Sequence, residues 1–502
     1  MLLVGPTLPV MTINTGTAVA AAAVPRAGPQ DETSDTALVL PLVALGAAGV
    51  LTGYGCLRRA RRARARTAPA GGPAPPSYGP APRAGLDRQA RDRLVAADDC
   101  VRTSREELAF AAAEFDAEAV EPYARAVRQA ETELAAAFAL RRRYDHGVPA
   151  DPAARRQALA GMVGRCEEAG RLLDAVADGF DELRGLDRGA DALGAALEPV
   201  EARFRELAAR TPTTQARLAA LAARYAPTAT EHTAGHVEQA KDRLVFAALR
   251  LNQGRQASDS GRVSAAVAHL RAAEGAVAQA AVFLDGVDRL AAVLDEAAAL
   301  VPAALTGAEA ERAGAADRLP DVPPGEVRAR LLHADAVLAS VRGELAPGPG
   351  DAATGRPYEP VDLLRRIVRA AAPLALGRTG VLSAAALLTA RCATDAAAGF
   401  VTTHRGAVGA APRTLLAEAR RLLASPAPAD HLRADELARE ALAAAEQAVR
   451  AHGNPYAEAD TRVSGTAGAV LGGILLPVGL PTGVPPAFGG PATRTRRTAS
   501  AA

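Results

Sequence analysis

Hydrophobic positions along the chain follow two regimes. In the first, residues 37–57 (ALVLPLVALGAAGVLTGYGCL) run for 21 positions without a charge and are followed at once by RRARRARAR. At 1.5 Å of rise per residue, such a helix crosses a hydrocarbon core of about 30 Å. Arg58, Arg59, Arg61, Arg62, Arg64 and Arg66 mark its cytoplasmic end, because arginine beside a span stays on that side; the upstream flank is acidic at Asp31, Glu32 and Asp35. The pattern predicts a single-pass protein of the cell membrane, with residues 1–35 outside, a span over 36–57 and the bulk in the cytoplasm. An apolar stretch at 2–10 and a small-residue run at 18–23 resemble the centre and cleavage region of a secretory signal without its basic start.

The second regime begins at Leu86. Leu86, Ala90, Leu94, Ala97, Val101, Leu108 and Phe115 recur at spacings of three, four or seven, which is one apolar seam along a helix. A second helix near 120–144 places Val127, Leu134 and Phe138 on one face and ends before Gly147 and Pro149. Two such helices, antiparallel, bury each other's seams, whereas one alone is marginal in water. Leu94, Val101, Leu108, Leu134 and Phe138 are therefore the expected contact residues, within the chain or with a protein partner or a second copy.

Breakers set further helices at roughly 152–186, 187–225, 236–257, 262–300, 326–346, 361–375, 381–404, 414–424 and 434–452. The turn Ser258, Asp259, Ser260, Gly261 joins two of them into a hairpin similar to one tetratricopeptide-like unit, with no period sustained over three copies. No stretch alternates as a strand does. The expected fold is all-α: a transmembrane helix, a basic and Pro/Gly-rich linker over 58–85, antiparallel helical hairpins or a bundle over 86–452, and a flexible Gly/Pro-rich tail over 453–502. Within that tail, 463–493 carries no charge but is broken by Pro477, Pro481, Pro485 and Pro486. A second span there would carry Arg494, Arg496 and Arg497 to the wrong side.

Composition sharpens this picture. The chain has no Trp and 3% aromatic residues against 49% hydrophobic, so its cores rest on Ala, Leu and Val, and its helices approach closely. A formal net charge of +2 gives no global field for nucleic acid or acidic substrates. The local arginine run is different, since each arginine near anionic lipid contributes about 1 kcal/mol of attraction. Membrane lipid is thus an expected partner. Cys56, Cys100, Cys166 and Cys392 share no CxxC spacing and read as free thiols.

Candidate chemistry is sparse. His232 and His236 in EHTAGH have i, i+4 spacing, but Gly235 puts them at a helix start, so capping or a solvated surface is expected rather than a metal site. Thr402, Thr403, His404, Arg405 and Gly406 set hydroxyls beside an imidazole. A helix C-terminus ended by glycine accounts for the same residues. No catalytic, cofactor-binding or metal residue and no small-molecule substrate is expected, which describes a non-catalytic scaffold or interaction module. A rival reading is a membrane-associated hydrolase centred on His404.

Several stretches carry a resemblance: TSREELAFAAAEF from Thr103, VEQAKDRLVFA from Val237, AAVAHLRAAEGAV from Ala265, FVTTHRGAVG from Phe400 and GNPY from Gly453. Together they resemble the membrane-anchored helical, coiled-coil region downstream of the TPM domain in actinobacterial TPM-domain proteins. The resemblance implies the order signal peptide, extracytoplasmic phosphatase-like TPM domain, one span, cytoplasmic helices and Gly-rich tail. Only 36 residues precede the span here, and a domain needs at least about 50, so the TPM domain is expected to be missing or to lie upstream of a misassigned start. No catalytic residue is carried over.

Overall fold

A computed structural model describes residues 83–315, 323–346, 357–374, 380–452 and 487–500. The span expected at 36–57, the six arginines from Arg58 to Arg66, the linker up to residue 82 and residues 453–486 lie outside them. Among the described residues every regular element is helical, so the fold is all-α.

The seam residues assemble in a three-helix bundle of α1 (Arg83–Glu114), α2 (Ala117–Asp145) and α3 (Pro152–Arg184). Asp116 and Asp151 cap α2 and α3, accepting hydrogen bonds from the Ala119 and Ala154 N–H groups at 2.8 and 2.7 Å. Leu94, Val101, Leu134 and Phe138 share one core with Leu173 and Phe180 of α3, and Leu108 packs on its edge. The paired hairpin expected from the first two helices is thus a three-helix unit, because α3 brings a second apolar stripe to the seam that α1 and α2 leave open. Arg141, at the end of α2, is not solvated: it pairs with Asp87 at 2.5 Å and with Asp145 at 2.7 Å.

α4 (Ala190–Arg224) leads through a helical turn at Pro227–Thr230 to α5 (His236–Asp259), and Gly261, in the left-handed region at φ 69°, reverses the chain into α6 (Val263–Ala313). At 1.5 Å per residue α6 is about 76 Å long, and it belongs to two cores. Its first half, including Leu270, Val277 and Leu284, packs with α4 and α5. Its second half, including Leu294, Val301 and Ala308, packs with α8 (Pro360–Ala371) and α9 (Gly380–Thr403). The breaker rule ends this helix at 300; the structure continues it through Pro302, because the burial of Val301, Ala304 and Ala308 outweighs the one lost N–H. α7 (Pro324–Leu345) is tied to α6 by Arg312–Asp335 and Arg342–Glu309 pairs. α10 (Ala410–Leu423) and α11 (Pro428–His452) close a last core with α9.

By length and composition, α6 and α9 could each cross a membrane, which suggests membrane association. The same properties suit a core helix, and both pack into the bundle here. α6 also carries Asp285 and Asp288, each paired to Arg210 of α4.

Buried charge joins α1 to the turn between α9 and α10. Arg413, 1% exposed, donates to Asp98 and Asp99 at 2.6 Å each, and to the Arg405 and Val408 carbonyls at 2.6 and 3.0 Å. Arg102 donates to Asp98 at 2.9 Å and to Thr402 at 2.9 Å, and Arg405 holds Glu106 at 2.8 and 3.0 Å. Burial alone would raise the Asp98 carboxyl, but the guanidinium groups of Arg102 and Arg413 prevail and hold it down at about 2.

The expectation of a flexible tail over 453–502 is corrected at its far end. Residues 487–490 are buried and α12 (Pro491–Ser500) lies against α3 and α1, because Phe488 finds an aromatic slot and the tail's arginines find acids on α3.

Arg413→Met leaves two carboxylates beside one another without their shared cation, and should lower unfolding stability by about 3–5 kcal/mol, read from urea denaturation. Asp98 titrates at 3.8 when unperturbed and at about 2 when folded, so its contribution is present above pH 3.8 and is lost as pH falls from 3.8 to 2. Asp98→Asn should remove that part of the acid-unfolding slope.

Candidate functional site: a three-histidine cavity

Where α5, α6, α9 and α11 meet, they border a cavity of about 650 Å³ that is partly open to solvent, within the usual range for small-molecule sites. Its walls hold His232, His236 and His404, three imidazoles that sequence spacing assigned to two unrelated helix ends. His236 is the first residue of α5, after Gly235, which offers no side-chain cap. His404 follows the last residue of α9, stacked on Phe400 with centroids 4.3 Å apart. Chain folding around α6 supplies the rest: Phe283, Gly286, Arg289 and Leu290 line the opposite wall.

The imidazoles have distinct surroundings. Burial, then the charges of His232, His404 and Arg289, push His236 down to about 4, against a hydrogen bond to the Phe283 backbone that raises it. His236 Nδ1 is buried without a hydrogen-bond partner among the described residues. Gly286 makes room for this ring, since a Cβ there would stand 3.1 Å from Nδ1. Burial also lowers His404, whose Nδ1 contacts the Phe400 carbonyl at 3.2 Å and Thr403 Oγ1 at 2.9 Å.

Glu231, Arg289, Asp395, Glu446 and Arg450 put both signs of charge around the cavity. Arg450 is 3.6 Å from Glu446, while Arg289 makes no ion pair among the described residues. The Thr403 hydroxyl donates to the Gly399 carbonyl at 2.9 Å, as a helix-terminal threonine does, and so is held rather than poised for attack. Among the described residues, no three His, Cys, Asp or Glu side chains gather as a metal site would require. The described cysteines are free; burial raises Cys100 to about 11 and Cys166 to about 12, far from thiolate chemistry at neutral pH. The arrangement can receive a small molecule that sets an apolar face against Phe283, Val293 and Phe400 and polar groups toward Arg289, Asp395 and Glu446.

Of the residues singled out from sequence, Leu94, Val101, Leu108, Leu134 and Phe138 lie in the α1–α3 bundle, away from this cavity, and Arg58, Arg59, Arg61, Arg62, Arg64 and Arg66 fall outside the described residues. The convergence of His236 with His404 joins positions 168 apart, which no local spacing signals.

Comparison with known proteins adds one relationship. UPF0603 protein MT2410 of Mycobacterium tuberculosis strain CDC 1551 / Oshkosh is 32% identical over 416 residues, and UPF0603 protein Rv2345 of strain ATCC 25618 / H37Rv matches equally. The chain is homologous to these UPF0603 proteins. The match covers 79% of this chain but 62% of the relatives, so the chain spans less than two thirds of the length of the UPF0603 proteins it matches. No protein-family model and no solved structure matches it.

His236 should titrate with a midpoint near 4 by NMR of its ring carbon-bound protons, against the ordinary 6.5. Its folded value is depressed, so stability is full above pH 6.5 and declines as pH falls from 6.5 to 4, where only the unfolded state takes up the proton. His236→Asn should flatten that part of the pH-stability curve.

Proposed function

We propose that the chain is a membrane-tethered helical scaffold, an all-α interaction module held at the bilayer by the 37–57 span and its arginine run. The observation that supports this reading most directly is where the polar side chains go. Arg184 pairs with buried Glu274 at 2.7 Å, Arg365 with buried Asp435 at 3.0 Å, and Arg405 and Arg413 with the acids of α1. These groups brace helix against helix, and none is left converging on a reactive centre. The resemblance to the membrane-anchored helical region downstream of a TPM domain fits the same reading. On the outer face of α5, Val245 (72% exposed) and Leu249 (52% exposed) stand one turn apart, a contact point suited to a partner helix or a second copy.

The three-histidine cavity favours a second reading, in which a bound small molecule adjusts the packing of α5 and α11 on α6. The rival reading, a His404-centred hydrolase, would use the same cavity. The scaffold reading predicts that His404→Ala leaves partner capture unchanged, whereas a hydrolase would lose its activity with its fold intact.

Membrane tethering is tested by fractionation. The full chain should stay in the membrane pellet after an alkaline carbonate wash, and deletion of residues 37–57 should move it to the soluble fraction with its helix signal retained. A deletion variant that stays in the pellet would assign the anchor to α6 or α9 instead.

A further inference from the structure

The segment 487–497 sits in the groove between α1 and α3 in the manner of a bound peptide. Phe488 is fully buried, stacked on Phe180 with centroids 4.2 Å apart and met edge-on by Tyr123 at 6.2 Å. The groove's side chains take the segment's backbone donors. Glu107 accepts the Phe488 N–H at 2.9 Å, Ser104 the Gly489 N–H at 3.1 Å, and Asp174 the Ala492 and Thr493 N–H groups at 3.3 and 2.9 Å. Asp174 thereby caps α12 from another helix, a task that normally falls to a residue just before the helix.

Two glycines permit the approach. Gly489 adopts φ 125°, a backbone region that favours glycine. At Gly490 a Cβ would overlap the Gly170 carbonyl oxygen and stand 2.6 Å from the Asp174 carboxylate. On the far side of the crossing, a Cβ on Gly170 would come within 2.7 Å of Pro491 Cδ. Beyond the proline the contact turns ionic, with Arg496 on Asp178 at 3.2 Å and Arg497 on Asp181. Asp174, Asp178 and Asp181 lie at i, i+4 and i+7 along α3, one stripe facing one basic helix.

We propose that the α1–α3 groove is a peptide-binding site whose ligand is the chain's own C-terminal segment. It reads a Phe-Gly-Gly-Pro core followed by a basic helical turn. The aromatic slot supplies burial, the glycine pair selects for bare backbone, and the acidic stripe fixes direction. Tethering gives the segment an effective concentration on the order of millimolar, so the attached copy outcompetes a free one. A chain whose own segment is disabled therefore accepts the same sequence from outside.

The experiment uses the full chain in detergent and a fluorescein-labelled peptide of residues 487–502, followed by anisotropy. A chain carrying Gly490→Val, whose clash lies only in the docked segment, should bind the peptide at least about tenfold more tightly than the wild-type chain. A Phe488→Ala peptide should bind neither. Equal binding of the wild-type and Phe488→Ala peptides to the Gly490→Val chain would overturn the proposal. A full chain carrying Phe488→Ala provides the second receptor. If both chain variants lose the helical signal of the bundle by circular dichroism, the segment is core rather than ligand, and the proposal fails.

Discussion

The structure depends on charge buried along α1. Arg413 reaches Asp98 and Asp99 at 2.6 Å, Arg405 reaches Glu106 at 2.8 Å, and Arg271 stands 3.2 Å from Glu107. Each cation comes from a helix or turn far along the chain, so α1 is where α6 and the α9–α10 turn are held in one frame. Arg413 is almost wholly buried, and a guanidinium in that position is tolerated only when its donors are used. Here the carboxylates of Asp98 and Asp99 and the carbonyls of Val408 and Arg405 use them.

Such pairing answers a weakness of the sequence. A seam made of Ala, Leu and Val gives close helix contact but little preference for one register over the next, since many small residues fit the same groove. Ala273, Ala276 and Ala280 on α6 are all fully buried and identical in volume. An Arg–carboxylate pair tolerates no such exchange, because a slip of one residue strands a charge away from water. The pairs that favour one register in this bundle are accordingly the buried ones, where Arg184 meets Glu274 and Arg365 meets Asp435.

Periodicity carried most of the fold. The helices expected at 152–186, 236–257 and 381–404 match α3, α5 and α9 to within a few residues, because Asp151, Gly185 and Gly261 are local signals. It failed where tertiary packing overrides a local rule. Pro302 does not end α6, because Val301 and Ala304 are buried on both sides of it. Phe488 does not trail free, because Phe180 and Tyr123 receive it from elements more than 300 residues away. The candidate site was legible only in pieces. His236 does stand at a helix start and His404 at a helix end, but His236 is neither a cap nor solvated as expected, and the cavity they share arises from how α5 and α9 pack on α6.

A bundle braced in this way should open as one body rather than as separate hairpins. The direct measurement is native-state hydrogen exchange by mass spectrometry on the full chain, comparing α1 around Asp98 with the turn from His404 to Arg413. If the α1 clasp governs the structure, both segments exchange through the same opening, with equal free energy and equal dependence on denaturant. Exchange of the α9–α11 region at clearly lower free energy, with α1–α3 still protected, would show that the clasp does not unite the bundle.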